Sequence, residues 1–116
     1  MRKLAIAALL IFTVCSSACW RTKQQMYSTL MNHSGAALVA VEVDYPGGSY
    51  GIPQLAPGDI HRKWVAVTTP CTYTIHFEDS KGKSYQSKPM EFGQDKCPAE
   101  IVFTVDTSMN ITGAPK

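Results

Sequence analysis

The sequence predicts an all-β fold, an antiparallel β-sandwich of six or seven short strands with one disulfide. From Met26 onward, hydrophobic residues recur with a period of two, which is the spacing of half-buried strands. Clusters of glycine and proline separate these runs at short intervals, and no run offers ten residues of amphipathic helix. A chain of 116 residues has room for one such domain.

The individual strands follow from alternation within each run. The clearest is Leu38–Tyr45, whose three valines share one face. Pro46–Ser49 and Ala56–Asp59 are predicted turns, because proline fixes φ and glycine accepts positive φ. Tyr50–Leu55 is expected to be short and broken by its proline, which lacks a backbone donor. The other predicted strands are Tyr27–Met31, Ile60–Val67, Cys71–Glu78, Ser84–Lys88 and Glu100–Val105.

The N-terminus has the layout of a secretory signal peptide. Arg2 and Lys3 supply positive charge, Leu4–Val14 is an apolar run of eleven residues, and small residues follow up to Ala18. Crossing the hydrocarbon core of a membrane takes about 20 residues in a helix, so this run is too short to span it. The sequence therefore predicts that residues 1–18 are removed on export.

The cysteine count after cleavage indicates a role for Cys19. Removal of residues 1–18 leaves Cys19, Cys71 and Cys97, an odd number. The segment Ser16–Cys19 resembles the lipobox of bacterial lipoproteins, although Ser16 stands where that motif usually has an aliphatic residue. The resemblance implies that Cys19 is acylated and becomes the mature N-terminus. Residues 19–25 are then a tether, residues 26–106 the sandwich and residues 107–116 a loose tail.

The charge of the mature chain argues against nucleic acid as a partner. Of the eleven Lys and Arg side chains, two lie in the predicted signal, which leaves nine basic side chains against nine acidic ones. A nucleic-acid-binding domain of this size would carry a clear basic excess.

Part of the sequence resembles a group of small exported bacterial proteins of unknown function. The resemblance lies in Asn32–Gly35, Val41–Gly51, Leu55–Gly58 and the predicted hairpin around Tyr73–Tyr85, and the Val-Glu-Val-Asp-Tyr-Pro-Gly-Gly-Ser run is its most distinctive part. It implies an immunoglobulin-like sandwich. It implies no catalytic residue.

Cys71 and Cys97 are predicted to form a structural disulfide. A redox pair or a metal site is the alternative, but neither cysteine belongs to a Cys-x-x-Cys motif or has a histidine at ligand spacing. Exported proteins fold in an oxidising compartment, where such pairs are usually bonded.

The histidines provide an alternative, enzymatic or metal-binding interpretation. His61 and His76 lie in consecutive predicted strands and could share one sheet, with Asp44 or Glu78 as a third ligand. Asp44 and His61 could also serve a serine hydrolase, but the chain has no Gly-x-Ser-x-Gly elbow. Solvated strand histidines are commoner, so the sequence favours no metal, no cofactor and no catalytic residue.

The turn between the second and third predicted strands is the candidate contact site. Tyr45 and Tyr50 flank Pro46 and the flexible residues Gly47, Gly48 and Ser49. Tyrosine beside Gly and Ser is typical of binding loops, whereas the alternative is a tight turn with its tyrosines in the core. We expect Tyr45 to be buried and Tyr50 to be exposed.

These features together predict a non-enzymatic lipoprotein of the cell envelope. It would be held to a membrane through Cys19, would face the periplasm or the cell exterior, and would act as a protein-binding or accessory module for an envelope protein that the sequence does not identify. The alternative is a small metal-binding protein or hydrolase that uses His61, His76 and Asp44.

Overall fold

A computed structural model describes residues 23–116 as an all-β domain. The predicted signal peptide and Cys19 lie outside the described residues. This part of the chain contains nine strands: β1 (Gln24–Asn32), β2 (Leu38–Tyr45), β3 (Gly48–Leu55), β4 (Ile60–Val67), β5 (Cys71–Glu78), β6 (Ser84–Gln86), β7 (Met90–Gly93), β8 (Glu100–Val105) and β9 (Ile111–Pro115).

The strands form two sheets packed as a sandwich, which confirms the predicted fold class. The four-stranded sheet has the order β4-β1-β8-β9, and the five-stranded sheet has the order β3-β2-β5-β6, with β7 also paired to β5. Two short strands, β7 and β9, account for the excess over the predicted number. The pairing is antiparallel except between β1 and β8, which run parallel.

The core lies between the inner faces of the two sheets. Strand β5 shows the predicted pattern most cleanly, since every second residue from Cys71 to Phe77 is buried and the residues between them are half-buried. The largest fully buried side chains are Tyr73, Phe77, Phe103, Met26, Leu30, Leu38, Ile75 and Ile101. Burial of these apolar side chains is the main driving force for folding.

The predicted facing of β2 is wrong on one side of a β-bulge. Ala40 adopts a positive φ of 50°, and the register between β2 and β5 shifts between Val39 and Glu42. Val39 therefore lies opposite Glu78 on the outer face, and Leu38 takes a place in the core. The bulge separates the three valines that strict alternation puts on one face, because the extra residue reverses the facing on one side of it.

Strand β3 continues through its proline. Pro53 is exposed and lies on an edge strand, where β2 has the bulge residue Ala40 between its paired residues Val39 and Val41. A missing backbone donor is tolerated on an edge strand at such an irregularity. The predicted break does not occur.

The segment predicted as a loose tail contains strand β9. Ile111–Pro115 pairs with β8, and Ile111 packs against the core. A Cβ atom on Gly113 would come within 2.9 Å of the Phe103 ring, so a glycine is required for this close approach. The tail prediction was wrong because β9 has too few alternating apolar residues to give a signal.

The N-terminal end of the described residues also differs from the prediction. Strand β1 begins at Gln24, inside the predicted tether. The Gln24 side chain donates to the Cys97 carbonyl at 2.6 Å and accepts from the Cys97 amide at 2.8 Å. These two hydrogen bonds hold the start of β1 to the segment that leads into β8.

Cys71 and Cys97 form the predicted disulfide. Their Cα atoms are 5.2 Å apart, within the range that a disulfide requires, and both residues are buried. Cys71 opens β5 in the five-stranded sheet, while Cys97 precedes β8 in the four-stranded sheet. The bond therefore links the two layers.

Candidate functional site

The predicted contact turn is a tight two-residue hairpin turn. Tyr45 pairs with Gly48, which leaves Pro46 and Gly47 as the central residues, and Gly47 has a positive φ of 103°. Proline followed by a glycine with positive φ is typical of a type II turn. The Pro46 carbonyl accepts a hydrogen bond from the Thr68 amide at 3.0 Å, so the turn is held against the segment between β4 and β5.

Tyr50 is buried, and the expectation that it is exposed is wrong. Only 9% of the residue is exposed, and its hydroxyl donates to Ser28 Oγ at 2.9 Å across the sandwich. Burial raises the pKa of Tyr50, while the hydrogen bond to Ser28 lowers it. The tyrosine continues the inward face of β3 because it lies opposite the fully buried Val43.

Tyr45 is half-buried and packs against the same end of the core. Its ring centroid lies 6.0 Å from that of Tyr50 and 6.3 Å from that of Tyr73. Gly47, Gly48 and Ser49 remain exposed, but neither tyrosine projects freely beside them. The structure thus favours the alternative interpretation of this segment, a turn whose aromatic residues stabilise the core.

Of the three residues of the alternative metal site, Asp44 and His76 lie close together, whereas His61 does not join them. Asp44 and His76 lie on the outer face of the five-stranded sheet, next to Glu42, and ligand atoms of the three residues lie within 4.8 Å of one another. Glu78 is on the same outer face, opposite Val39. We call the outward side chains of Glu42, Asp44, His76 and Glu78 the acidic face.

His61 lies in the other sheet. It is on β4, opposite the buried Leu30, and its ring stacks on Tyr50 with centroids 5.9 Å apart. Its Nδ1 atom is buried and has no hydrogen-bond partner among the described residues. Burial lowers the pKa of His61, and the positive charge of Lys63 lowers it further. The predicted pair of His61 and His76 on one sheet is therefore wrong, and no site built on both is assembled.

The outer face of the four-stranded sheet carries a feature that the sequence interpretation missed. Ile60 and Trp64 are large hydrophobic residues that are 60% and 52% exposed. Trp64 packs on Tyr27 of β1, with ring centroids 4.4 Å apart. The guanidinium carbon of Arg62 lies 3.5 Å from the centre of the Tyr27 ring, on the same face between Ile60 and Trp64.

A carboxylate completes this surface. Glu100 accepts a hydrogen bond from Thr29 Oγ1 at 2.8 Å and pairs with Arg62 at 3.2 Å. The hydrogen bond from Thr29 is the main cause that lowers the pKa of Glu100, followed by the hydrogen bond from Arg62. We call the outward side chains of Tyr27, Ile60, Arg62, Trp64 and Glu100 the aromatic face.

The position of β4 explains the exposure. It is an edge strand, and residues 60–64 are exposed or half-buried on both of its faces, whereas Val65 and Val67 are buried. The sequence carries a signal for this surface, because Ile60, Arg62 and Trp64 alternate on one face of the strand. It does not show that this face is the outer one, since the opposite face also mixes polar and apolar residues.

Comparison with known proteins supports the fold and goes no further. No protein-family model and no curated protein matches the sequence. The domain is similar to a solved NMR structure of a protein from Eubacterium rectale, with a TM-score of 0.56 and 8% sequence identity, over 78% of this chain and 86% of that one. Residues 23–116 contain no helix long and apolar enough to cross a membrane.

Proposed function

We propose that this protein is an exported, lipid-anchored and non-enzymatic module of the cell envelope that binds a protein partner through its aromatic face. One observation carries the proposal of a contact surface: Ile60 and Trp64 are both exposed, on either side of the Arg62 side chain. Large apolar side chains concentrated on one surface mark interaction sites, whereas single exposed ones need no explanation.

The residue types of the aromatic face favour a protein partner. Trp, Tyr and Arg are the residues most enriched among those that dominate binding free energy at protein interfaces. Here they are in mutual contact, because Trp64 and Arg62 both pack on Tyr27. These contacts restrain the side chains before binding, which lowers the conformational entropy lost on association.

The edge position of β4 and its charge define the partner further. Among the described residues, no strand pairs with the outer edge of β4. An extended segment of a partner can add to such an edge through main-chain hydrogen bonds. Lys63 is exposed on that strand and forms no salt bridge with the described residues, so an acidic side chain in the added segment would be complementary. The proposed partner segment is therefore extended, with apolar and acidic residues.

The proposed lipid anchor is consistent with the length of the chain before β1. Gln24, the first residue of β1, lies five positions after Cys19, with four residues between them. Even a fully extended chain of five residues spans at most about 18 Å. A lipid on Cys19 would therefore keep the domain close to the membrane surface, which suits a module that acts on an envelope protein.

The anchor is tested by expression in a bacterial host that processes lipoproteins. The mature protein should partition into detergent, and its N-terminal peptide should have the added mass of acyl chains on Cys19. A Cys19→Ser variant should lose both properties. An unmodified N-terminus that begins with a free Cys19 would refute the lipid and leave the contact surface to be tested separately.

The contact surface is tested by site-specific photocrosslinking in intact cells. A photoreactive amino acid at Ile60 should give a discrete adduct with one envelope protein. The same amino acid at Thr74, on the outer face of the other sheet, is the matched control and should not. Equal adducts from both positions, or an adduct at position 60 that persists in a Trp64→Ala variant, would contradict the proposal.

A further inference from the structure

The acidic face contains a compact group of three metal-ligating side chains. Glu42 on β2 lies directly opposite His76 on β5, and Asp44 follows two residues later on the same side of β2. Directly opposite residues in antiparallel strands have Cβ atoms about 5 Å apart, and diagonal neighbours are within reach of longer side chains. This register brings two carboxylates and one imidazole to a single point, with ligand atoms within 4.8 Å of one another.

We propose that Glu42, Asp44 and His76 bind a divalent first-row transition-metal ion, with Zn²⁺ as the reference ion. One imidazole nitrogen and two carboxylate oxygens form a mixed donor set: imidazole suits Zn, Cu, Fe and Ni, whereas Mg and Ca prefer oxygen ligands alone. Zinc sites with three protein ligands keep a fourth position for water or another ligand. This site is independent of the proposed contact surface, which lies on the other sheet.

The charges of the group favour a cation. The His76 ring contacts the Glu42 carboxylate, so one of the two carboxylates already has a partner. Asp44 brings a second negative charge to the same place, and among the described residues no Lys, Arg or His forms a salt bridge with it. Like charges this close repel each other, and a divalent cation would compensate both carboxylates at once.

Buried residues next to the proposed ligands fix the positions of the two strands that carry them. Val43 lies between Glu42 and Asp44, and it pairs with Ile75, the residue before His76. Both Val43 and Ile75 are fully buried, which fixes the positions of the two strands at this point. A site built on packed strands loses less freedom on binding than one on a loop.

The outer side of the group is open to solvent. Its neighbours on β3 are small, since Gly51 lies opposite Glu42 and Ser49 lies opposite Asp44. About two-fifths of the side-chain surface of both His76 and Glu42 is exposed, at 41% and 43%. A metal ion can therefore reach the ligands from solvent without any movement of the backbone.

The experiment is a calorimetric titration of the purified, metal-free protein with a zinc salt. We expect saturable binding of one Zn²⁺ per chain. The variants Glu42→Gln and His76→Ala should each weaken the affinity at least about tenfold, because each removes a ligand. Matched controls are His61→Ala, a histidine in the other sheet, and Glu78→Gln, an outward carboxylate on β5 outside the group. Both controls should bind zinc as the wild type does.

A residue-specific readout separates this site from adventitious binding. In ¹H–¹⁵N spectra, zinc should shift the imidazole nitrogens of His76 and the amides of Glu42 and Asp44, and leave those of His61 unchanged. Thermal unfolding of each variant without metal shows whether it is folded. Zinc binding that survives in folded His76→Ala, that depends on His61, or that is weaker than Ca²⁺ binding would overturn the proposal.

Discussion

The two outer faces of the sandwich differ more than its two inner faces. The inner faces both carry alternating apolar residues that meet in one core. Outside, the four-stranded sheet presents Trp64, Tyr27 and Ile60 with a paired Arg62, whereas the five-stranded sheet presents three carboxylates and His76. The first is the proposed contact surface, and the second carries the proposed cation site.

The location of each face within its sheet also differs. The most exposed residues of the aromatic face, Ile60 and Trp64, are on β4, an edge strand. The three proposed metal ligands are on β2 and β5, which pair with each other and have further strands on both sides. An edge strand can accept another strand, whereas paired inner strands hold side chains at fixed spacing. The proposed contact surface thus lies on an edge strand, and the proposed metal ligands lie on inner strands.

Reduction of the disulfide tests whether both faces depend on one scaffold, and it should have the largest effect. In the chain-entropy model, closing a loop of 26 residues contributes about 3.5 kcal/mol to the free energy of unfolding. The reduced protein should therefore melt at a lower temperature yet remain folded at room temperature. Since the bond links the two layers, we expect zinc binding and partner capture to be lost together on heating. Loss of one well before the other would show that the sheets unfold separately.

Replacement of Trp64 by alanine tests the aromatic face alone. Truncation of a central interface tryptophan typically costs at least about 2 kcal/mol of binding free energy, or about 30-fold in affinity. The measurement is the affinity for the partner identified by crosslinking. Stability should change much less, because half of the Trp64 side chain is already exposed. The control is Ser49→Ala, at an exposed residue of the predicted contact segment that lies at the start of β3, and it should bind normally. Weaker binding in the control and normal binding in Trp64→Ala would restore the turn as the contact site.

The sequence predicts the strands of the core well. The predicted bounds of β2, β4, β5 and β8 are those that the structure has. Strands β5 and β8 follow the period of two throughout, so that one face is apolar and buried. Strand β2 departs from it at the bulge, and β4 has buried apolar residues only at Val65 and Val67. The disulfide was also predictable, because neither Cys71 nor Cys97 has a Cys-x-x-Cys motif or a histidine at ligand spacing, and the predicted export favours bonded cysteines.

Features that depend on tertiary contacts could not be predicted. Strand β9 forms because Gly113 lets the chain approach the Phe103 ring, and the bulge forms because Ala40 adopts positive φ. Neither residue signals its role in the sequence. Glu42 was missed as a neighbour of Asp44 and His76, because the register between β2 and β5 decides which side chains meet across the strands.

Acidification tests the contribution of His61, on the edge strand β4, to stability. The pKa of His61 is lowered from 6.5 by burial and by Lys63, so the unfolded chain binds a proton at a higher pH than the folded domain. The stability is therefore fully present above pH 6.5 and falls as the pH decreases below that value. Chemical denaturation at neutral and mildly acidic pH should show this loss.

Two variants identify the residue responsible for that pH dependence. His61→Gln should remove this part of the decrease, because the amide does not titrate. Lys63→Gln should reduce it only in part, since the charge of Lys63 is the smaller of the two causes. An unchanged decrease in His61→Gln would assign the effect to another group.

The smallest expected effect concerns Glu100 on the aromatic face. Its pKa is lowered by the hydrogen bonds from Thr29 and Arg62, so the folded domain holds its proton less tightly than the unfolded chain. The stability that Glu100 contributes is present above the ordinary pKa of a glutamate and is lost as the pH falls through the lowered value. Glu100→Gln should therefore be slightly less stable than wild type at neutral pH, and the two should converge in strong acid. Added salt should also reduce the difference, because the Arg62 side chain is half-exposed and the ion pair is screened. Denaturant midpoints at both pH values, at low and high salt, measure this. A difference that persists in acid would contradict this, and would mean that the side chain stabilises the fold through its shape and its hydrogen bond with Thr29 and not through its charge.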